Sequence, residues 1–397
     1  MSTATAIIDG LVANATQYVP QADEALAFVD MTPITFDELE SSPTSPRAIV
    51  PEFLYADVRQ RIAPGGVGKT TIALFEMMTL ALGAKLWGYN VPKPVRTVLI
   101  TKEDTRALLV GRMREIGRDC GFTQDEMRRV LENVIIVDVT VQNVRLTCME
   151  HDVPRPHLDN ITRLCADLEP FNPDWVIFDP AVSFGVGEAR VNDAEQAIIE
   201  AMRIIVRRLD ACVEVVHHSG KANARDKAMD QYAGRGGSSL ADGSRMTAVM
   251  HTVEAQDWAN QTGQALGDGE TGVVIALPKL SYAKPQPDIL VRRYRYQFEH
   301  IKALPAQSAE AKQKGDCEAV YAFVKADFDK GKTYSKNALE HCDQILGMSR
   351  NRVRAAIALL ENAGRFKPAS AKARSSNNYL VPCDFAGTGG EVNEKTG

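Results

Sequence analysis

The chain has 397 residues and a formal net charge of -5, with 45% hydrophobic and 24% charged side chains. That length accommodates two or three domains, and the composition is that of a globular protein with a sizeable core. No global basic field exists to hold nucleic acid or an anionic surface, so any such contact must use local patches.

The seven cysteines, at 120, 148, 165, 212, 317, 342 and 383, form no CxxC pair. Their spacing excludes a zinc knuckle and a dense disulfide framework, and free thiols in a reducing cytoplasm are expected. The N-terminus has no basic stretch followed by an apolar run, so no secretory leader is expected. The most apolar stretch, Ile72 to Ala84, contains Glu76 and is too short to span a bilayer. It reads as a buried helix, and no membrane partner is expected.

Residues 1–46 are a weakly patterned N-terminal segment ending in Ser41, Ser42, Pro43, Ser45 and Pro46. Residues 47–300 read as one α/β domain. The β-rich runs Thr97–Thr101, Val134–Val137, Trp175–Asp179 and Cys212–His217 alternate with helical patterns near 69–83, 104–118, 157–168 and 192–208. Strands separated by helices predict a mostly parallel sheet covered on both faces. Three further runs, Met246–Val253, Gly272–Leu277 and Ile289–Phe298, follow without intervening helices and predict antiparallel strands at one edge. Residues 301–315 are polar and low in aromatics, a linker. Residues 316–383 form a second small domain, and the Gly-rich residues 384–397 read as a disordered tail.

Residues 64–71 are Pro64, Gly65, Gly66, Val67, Gly68, Lys69, Thr70 and Thr71, and all eight are expected to cradle the phosphates of ATP. Gly65, Gly66 and Gly68 let backbone N–H groups converge on phosphate oxygens, and a helix starting at Lys69 adds its positive end. In this pattern Lys69 reaches the β- and γ-phosphates, and Thr70 ligates Mg2+. Ala63 stands where the full motif has its first Gly, but a strand-like run, Val58–Ile62, precedes the loop and an apolar helix follows it. Asp174-Trp-Val-Ile-Phe-Asp179 has the form of a strand delivering an acid to the same Mg2+. Glu103, just past Val98-Leu-Ile-Thr, is the expected base for water attack. Asp104 is the runner-up and the expected cap of the next helix. His217 and His218 end a fourth strand and face opposite sides of the sheet, which argues against a shared metal and for a γ-phosphate sensor.

Residues 221–245 form a long polar, Gly-rich loop. The Gly234-Arg-Gly-Gly-Ser-Ser239 stretch offers backbone N–H groups, hydroxyls and a guanidinium to phosphate oxygens, and Lys221, Arg225 and Lys227 add charge. Arg245 opens the next strand, either as a surface charge or as a group that reaches a neighbouring subunit's γ-phosphate.

In the C-terminal domain, an amphipathic helix over 316–331, a short helix over 335–342, a third helix over 350–363 and the strand Asn378–Pro382 predict a winged helix. Arg350, Arg352 and Arg354 sit at the start of its third helix. Nine Lys/Arg against three acids between 332 and 374 point to DNA, with duplex DNA as a second candidate partner.

In order along the chain, Pro-Gly-Gly-Val-Gly-Lys-Thr, Thr-Lys-Glu-Asp, Phe-Asp-Pro, His-His-Ser-Gly-Lys, Arg-Gly-Gly-Ser-Ser-Leu-Ala-Asp-Gly-Ser-Arg and Pro-Lys-Leu-Ser-Tyr-Ala-Lys resemble the RepA-type hexameric replicative helicases of plasmids and phages. These are RecA-fold AAA ATPases of the DnaB superfamily, and the resemblance covers residues 47–300. It implies a RecA-like core in a homo-oligomeric, six-membered ring with ATP between subunits. It assigns phosphate and Mg2+ contacts to Lys69 and Thr70, the base to Glu103 and the second metal ligand to Asp179. It makes His217 and His218 the sensor pair, Arg245 an arginine finger acting in trans and Lys279 a further basic residue. The 221–237 loop then faces single-stranded DNA in the channel, with Lys221, Arg225, Lys227 and Arg235 as contacts. Two features depart from the family: Gly236-Gly237 is one Gly longer than its Arg-Gly-Ser-Ser, and its compact members lack the C-terminal domain. The expected function is an ATP-driven DNA helicase or translocase in replication of a mobile element. The alternative is a RecA-like DNA-binding ATPase without unwinding, such as a loader, a recombination mediator or a winged-helix regulator. No primase-like acidic cluster is present, so primer synthesis is not expected.

Overall fold

A computed structural model describes residues 31–185, 191–305, 309–370 and 378–383. The expectations for residues 1–30 and 384–397, and for Lys372 and Arg374, lie outside them. Chain contacts define two units, one running to Thr252 with Val273–His300, the other comprising Val253–Gly272 and residues from Ile301 onward.

The first unit opens with helix α1 (Phe36–Ser41), capped by the Thr35 hydroxyl, and an antiparallel pair β1 (Ala48–Val50) and β2 (Leu54–Tyr55). There follow β3 (Val58–Ala63), α2 (Lys69–Ala81), β4 (Thr97–Thr101), α3 (Arg106–Asp119), α4 (Gln124–Asn133) and β5 (Val134–Asp138). Next come the hairpin β6 (Thr147–Glu150) and β7 (Val153–Pro156), then α5 (Leu158–Leu168), β8 (Trp175–Asp179), α6 (Ala181–Phe184), α7 (Val191–Leu209) and β9 (Cys212–His218). After α8 (Lys221–Arg225) and α9 (Ser239–Gly243) the chain enters β10 (Met246–Val253).

Among the described residues the large sheet has nine strands. Helix α10 (Ala255–Thr262) interrupts the run between β10 and β11 (Glu270–Leu280), and β12 (Ile289–Tyr294) and β13 (Gln297–Ile301) complete the order β13-β12-β11-β10-β3-β9-β8-β4-β5. The strands from β10 to β5 are parallel. The sheet is therefore the mixed α/β core expected from the alternation of strands and helices. Both faces are covered. Ile72, Met77, Leu109, Ile116 and Val130 pack one side, and Ile161, Cys165, Ile198 and Met202 the other. This double burial explains why Trp175–Asp179 is buried throughout.

Four local expectations change. Strand β10, expected among the antiparallel edge strands, pairs parallel with β3 instead. Helix α4 fills a stretch with no predicted element, held by a capping box in which Thr123 and Glu126 satisfy each other's backbone N–H. Helix α10 occupies a stretch expected to hold no helix, and Gly263 closes it at φ 71°. The run 289–298 is two strands, turned at Arg295 with φ 54°.

Central strand β3 carries charge into the core. Arg59 and Arg61 are fully buried with Glu214 of β9 and Glu76 of α2. Arg61 Nε meets Glu214 Oε1 at 2.5 Å, and its Nη2 meets Glu76 Oε2 at 2.5 Å. Trp87 Nε1 donates to the other Glu76 oxygen at 2.8 Å. Burial alone would disfavour the Arg61 cation, but Glu214 and Glu76 outweigh it and hold the group charged. Breaking such a set leaves a buried unpaired charge and costs about 3–5 kcal/mol.

In the second unit, α11 (Ala309–Phe328) starts inside the expected linker, since Ala-Glu-Ala-Lys-Gln-Lys favours helix. It is followed by α12 (Lys336–Glu340), α13 (Asp343–Leu346), α14 (Arg350–Asn362) and the antiparallel pair β14 (Phe366–Ser370) and β15 (Asn378–Pro382). Val320, Val324, Leu339, Val353, Ile357, Leu360, Phe366 and Leu380 form its core. The Leu380 N–H donates to Tyr334 O, which ties the segment before α12 to the hairpin.

Candidate nucleotide-binding site

Parallel pairing brings the carboxyl ends of β3, β9, β8 and β4 to one rim. Ala63 registers with His218, and Thr101 with Asp179. The loop after β3 turns through Gly66 at φ 85° and Gly68 at φ 94°, a conformation that disfavours any side chain. Helix α2 then starts at Lys69 with its backbone N–H groups facing the loop.

The eight residues of the loop divide into three kinds. Gly65 and Gly66 are exposed, and nothing lies within 4 Å of a Cβ built on either, so their backbone stands open to a ligand. Lys69 and Thr70 carry the polar groups of the site. Val67 and Thr71 are buried beneath the loop. Val67 is buried and joins the apolar cluster of Ile72, Ala73 and Met77, so only its backbone N–H is left for phosphate. Thr71 is likewise buried, in the first turn of α2, where its N–H has no intrahelical partner. Packing of the Val67 side chain anchors the loop on the core.

Lys69 Nζ lies 3.4 Å from Pro64 O and 3.3 Å from His218 Nδ1. Burial lowers its pKa, and the charges of Asp179 and Glu103 oppose that shift. Thr70 Oγ1 donates to Asp179 Oδ2 at 2.7 Å. The other oxygen, Asp179 Oδ1, is buried without a partner. Burial raises the Asp179 pKa, with Thr70 acting against it and Glu103 adding to it. A buried carboxylate with an orphaned oxygen beside a hydroxyl suits a hard divalent cation, so these residues fit Mg2+. Among the described residues no group of three His, Cys, Asp or Glu could hold a metal ion by itself.

Glu103 is half exposed and its Oε1 lies 3.7 Å from His218 Nε2. Asp104 is occupied otherwise, pairing with Arg112 at 2.7 and 3.1 Å. The cap of α3 is Thr105 rather than Asp104. His217 points to the other face and hydrogen-bonds the Arg235 carbonyl. Burial lowers its pKa, so it is neutral at pH 7 and donates its Nε2–H.

The 221–245 segment is built rather than free. Ser219 bridges Gly234, and the Gly220 N–H donates to Ala233 O. The stretch expected to offer N–H groups to phosphate spends several of them internally. The Gly237 N–H donates to Glu195 Oε1 at 2.9 Å, Leu240 to Glu195 Oε2 at 3.2 Å and Ser238 to Asn192 Oδ1 at 3.1 Å. The extra Gly237 is required there, because a Cβ would lie 1.8 Å from Asn192 Oδ1. A cavity of about 460 Å3 opens beside His217, His218, Arg235 and Glu195, with Ile198 and Leu240 among its apolar walls.

The sequence profile of the AAA domain family matches residues 23–224, just over half of the chain. The chain belongs to the AAA domain family. Its phosphate loop at the end of a parallel strand is that of a P-loop ATPase. A KaiC-like protein from the hyperthermophilic archaeon Pyrococcus horikoshii OT3 is 13% identical over 66% of this chain and 99% of its own, with a TM-score of 0.40. No curated protein matches the chain.

The AAA domain match ends at residue 224, after Lys221 and before the other remaining predicted residues. Arg245 is exposed, and its N–H donates to Val58 O at the amino end of β3. The phosphate loop leaves the opposite end of that strand, roughly 16 Å away at about 3.3 Å per residue. Lys279 holds the last carbonyls of α9, donating to Ala241 O at 2.7 Å and Asp242 O at 3.0 Å. Lys221 is exposed and Arg225 pairs with Asp226. Lys227 stands at φ 50° at the turn after α8, and Arg235 is exposed at the cavity rim.

In the second unit the three predicted DNA contacts meet acids. Arg352 grips Asp316 at 2.9 and 2.5 Å, Arg354 grips Glu340 at 3.0 and 2.7 Å, and Arg350 lies 3.4 Å from Asp343. Three cations at a helix N-terminus oppose the helix dipole, and these acids compensate. Asp316, Glu318 and Asp327 fall outside the 332–374 window. Over 316–383 there are eleven Lys/Arg and seven Asp/Glu, so the local excess is smaller than that window indicated.

Sequence reasoning missed Glu195 and Asn192. The signal was an acid, Glu195, on the apolar stripe of Ile198 and Met202. It also missed Arg293 of β12, which lies against Gly68.

Among the described residues no helix is long and apolar enough to cross a membrane.

Proposed function

We propose that the chain is an ATP-driven, ring-forming DNA helicase that translocates on single-stranded DNA. The position of Arg245 carries this reading. An exposed arginine at the sheet end opposite its own phosphate loop cannot serve that loop, but it suits the loop of an adjacent copy.

In this reading Lys69 holds the β- and γ-phosphates with the backbone of residues 64–71. Thr70 and Asp179 hold Mg2+, which neutralises phosphate charge when bound. Glu103 takes the proton of the attacking water, and Arg245 of the next subunit steadies charge on the transferred phosphoryl group. His218 touches both Lys69 and Glu103, and its neighbour His217 holds the Arg235 carbonyl. The pair thus links phosphate occupancy to the 221–237 loop. Lys221, Arg225, Lys227 and Arg235 supply the loop's positive charge toward the DNA backbone. Helices α11, α12 and α14 with the β14–β15 hairpin support a winged-helix-like module. Duplex DNA is its proposed ligand, with Arg350, Arg352 and Arg354 free to contribute only where their carboxylate pairs open.

Unwinding of a forked DNA by wild type and Lys69→Ala tests the proposal. Strand separation that needs ATP and is lost in Lys69→Ala supports it. ATP hydrolysis stimulated by single strands without strand separation would instead favour a loader or recombination mediator.

A further inference from the structure

Beside the phosphate loop stands a cation that no motif points to. A Cβ on Gly68 would lie 2.5 Å from Arg293 Nη1 and 3.4 Å from its Cζ, so the guanidinium rests against the glycine that caps α2. Its Nε donates to Arg295 O at 3.0 Å, which ties the side chain to the β12–β13 turn. The ring of Phe298 lies 5.8 Å from Cζ. Among the described residues no carboxylate pairs with Arg293, although the adjacent Arg292 pairs with Glu299. Arg293 is partly buried, and that burial acts against its charge.

This arrangement is electrostatically unfavourable without a ligand. A partly desolvated guanidinium abuts the positive end of a helix. Arg61, Arg352 and Arg354, by contrast, each meet an acid. An anion arriving between Arg293 and the N–H groups of α2 would satisfy both at once, with charge-assisted hydrogen bonds from the unused guanidinium nitrogens.

We propose that Arg293 is a phosphate-contacting residue of the nucleotide site, its guanidinium joining residues 65–69 in holding the diphosphate of ADP or ATP. The proposal rests on the nucleotide reading of residues 64–71. It also gives Gly68 a second reason to be glycine, since a side chain there would displace the guanidinium.

The test uses the full-length protein, titrated calorimetrically with ADP and with pyrophosphate in Mg2+. Wild type, Arg293→Ala, Arg293→Gln, Arg293→Lys and Lys69→Ala are compared, and each is melted without nucleotide. Arg293→Ala and Arg293→Gln should weaken ADP and pyrophosphate by the same factor, about ten- to hundredfold, and Arg293→Lys by less. Their nucleotide-free melting temperatures should stay level or rise, because an unpaired cation is removed. A purely structural arginine would lower them. Unchanged ADP affinity overturns the proposal, and so does a fall in nucleotide-free stability that accompanies weaker binding. Weaker ADP binding with unchanged pyrophosphate binding overturns the phosphate assignment in favour of the ribose or base. If Lys69→Ala also binds ADP like wild type, the reading of residues 64–71 fails and the proposal fails with it. If Lys69→Ala loses binding and the Arg293 variants do not, only the proposal fails.

Discussion

In the C-terminal unit Arg352, Arg354 and Arg365 each meet a carboxylate, on Asp316, Glu340 and Glu318. At the rim of the large sheet, Asp179 Oδ1 is buried without a partner, and Arg293 lies against Gly68 with no carboxylate paired to it among the described residues. The difference separates charges that complete a fold from charges that await a ligand. A run of arginines on a helix marks a DNA surface only when the fold leaves them unpaired. Below the rim, Arg61 shows the intermediate case: fully buried, yet held by Glu214 and Glu76, with α2 tied to β3 as a result.

The contrast can be broken most sharply at Arg245. Arg245→Ala should reduce ATP hydrolysis by about 10³–10⁵ while ADP affinity changes little. Phosphate-release assays beside ADP titration measure both, and retained hydrolysis would make Arg245 an ordinary surface charge. Next is Glu103→Gln, where hydrolysis should fall by about 10²–10⁴ with ATP still bound. Equal loss of binding would move Glu103 from a base to a binding group.

Glu76→Ala should destabilise the first unit by about 3–5 kcal/mol in urea unfolding, because it strands Arg61 in the core. A loss within about 0.5 kcal/mol would mean that water reaches the arginine. At Arg352→Ala the expected effects are small, about 1 kcal/mol of stability and less than about a twofold change in duplex affinity. A large loss of duplex affinity would show that the Asp316 pair opens for DNA.

The smallest effect concerns His217. Burial lowers its pKa, so the unfolded chain binds the proton more readily. Stability is therefore full above the ordinary histidine value, about 6.5, and falls as pH drops below it, by at most about 1.4 kcal/mol per pH unit. His217→Gln should flatten that part of the pH–stability curve, and an unaltered curve would mean that His217 does not contribute to it.

The phosphate loop was legible because close backbone approach permits few residues, and Gly65, Gly66, Gly68 and Lys69 announce it. The motif does not say which of its side chains turn inward, and Val67 does so by joining the apolar cluster of Ile72, Ala73 and Met77. Asp179 and Glu103 were legible from their places after apolar strands. Their different engagement from Asp104 was not, because Arg112 lies a helix turn or more away in α3. Val-Arg-Gln-Arg-Ile-Ala at 58–63 conceals two buried cations, since the acids that admit them, Glu76 and Glu214, come from distant elements. The same non-local pairing made the C-terminal domain look more basic than it is. The 221–245 loop looked free because its anchors, Asn192 and Glu195, lie on a helix that ends before it begins.

The central claim is a site completed by a second copy of the chain. Its most direct test is ATP hydrolysis by Lys69→Ala and Arg245→Ala proteins, alone and mixed at varied ratios. Each should be inactive alone. Mixing should restore part of the wild-type rate, because some interfaces then join an intact phosphate loop to an intact Arg245. If the subunits exchange and the mixture is no more active than its components, Arg245 does not act across an interface.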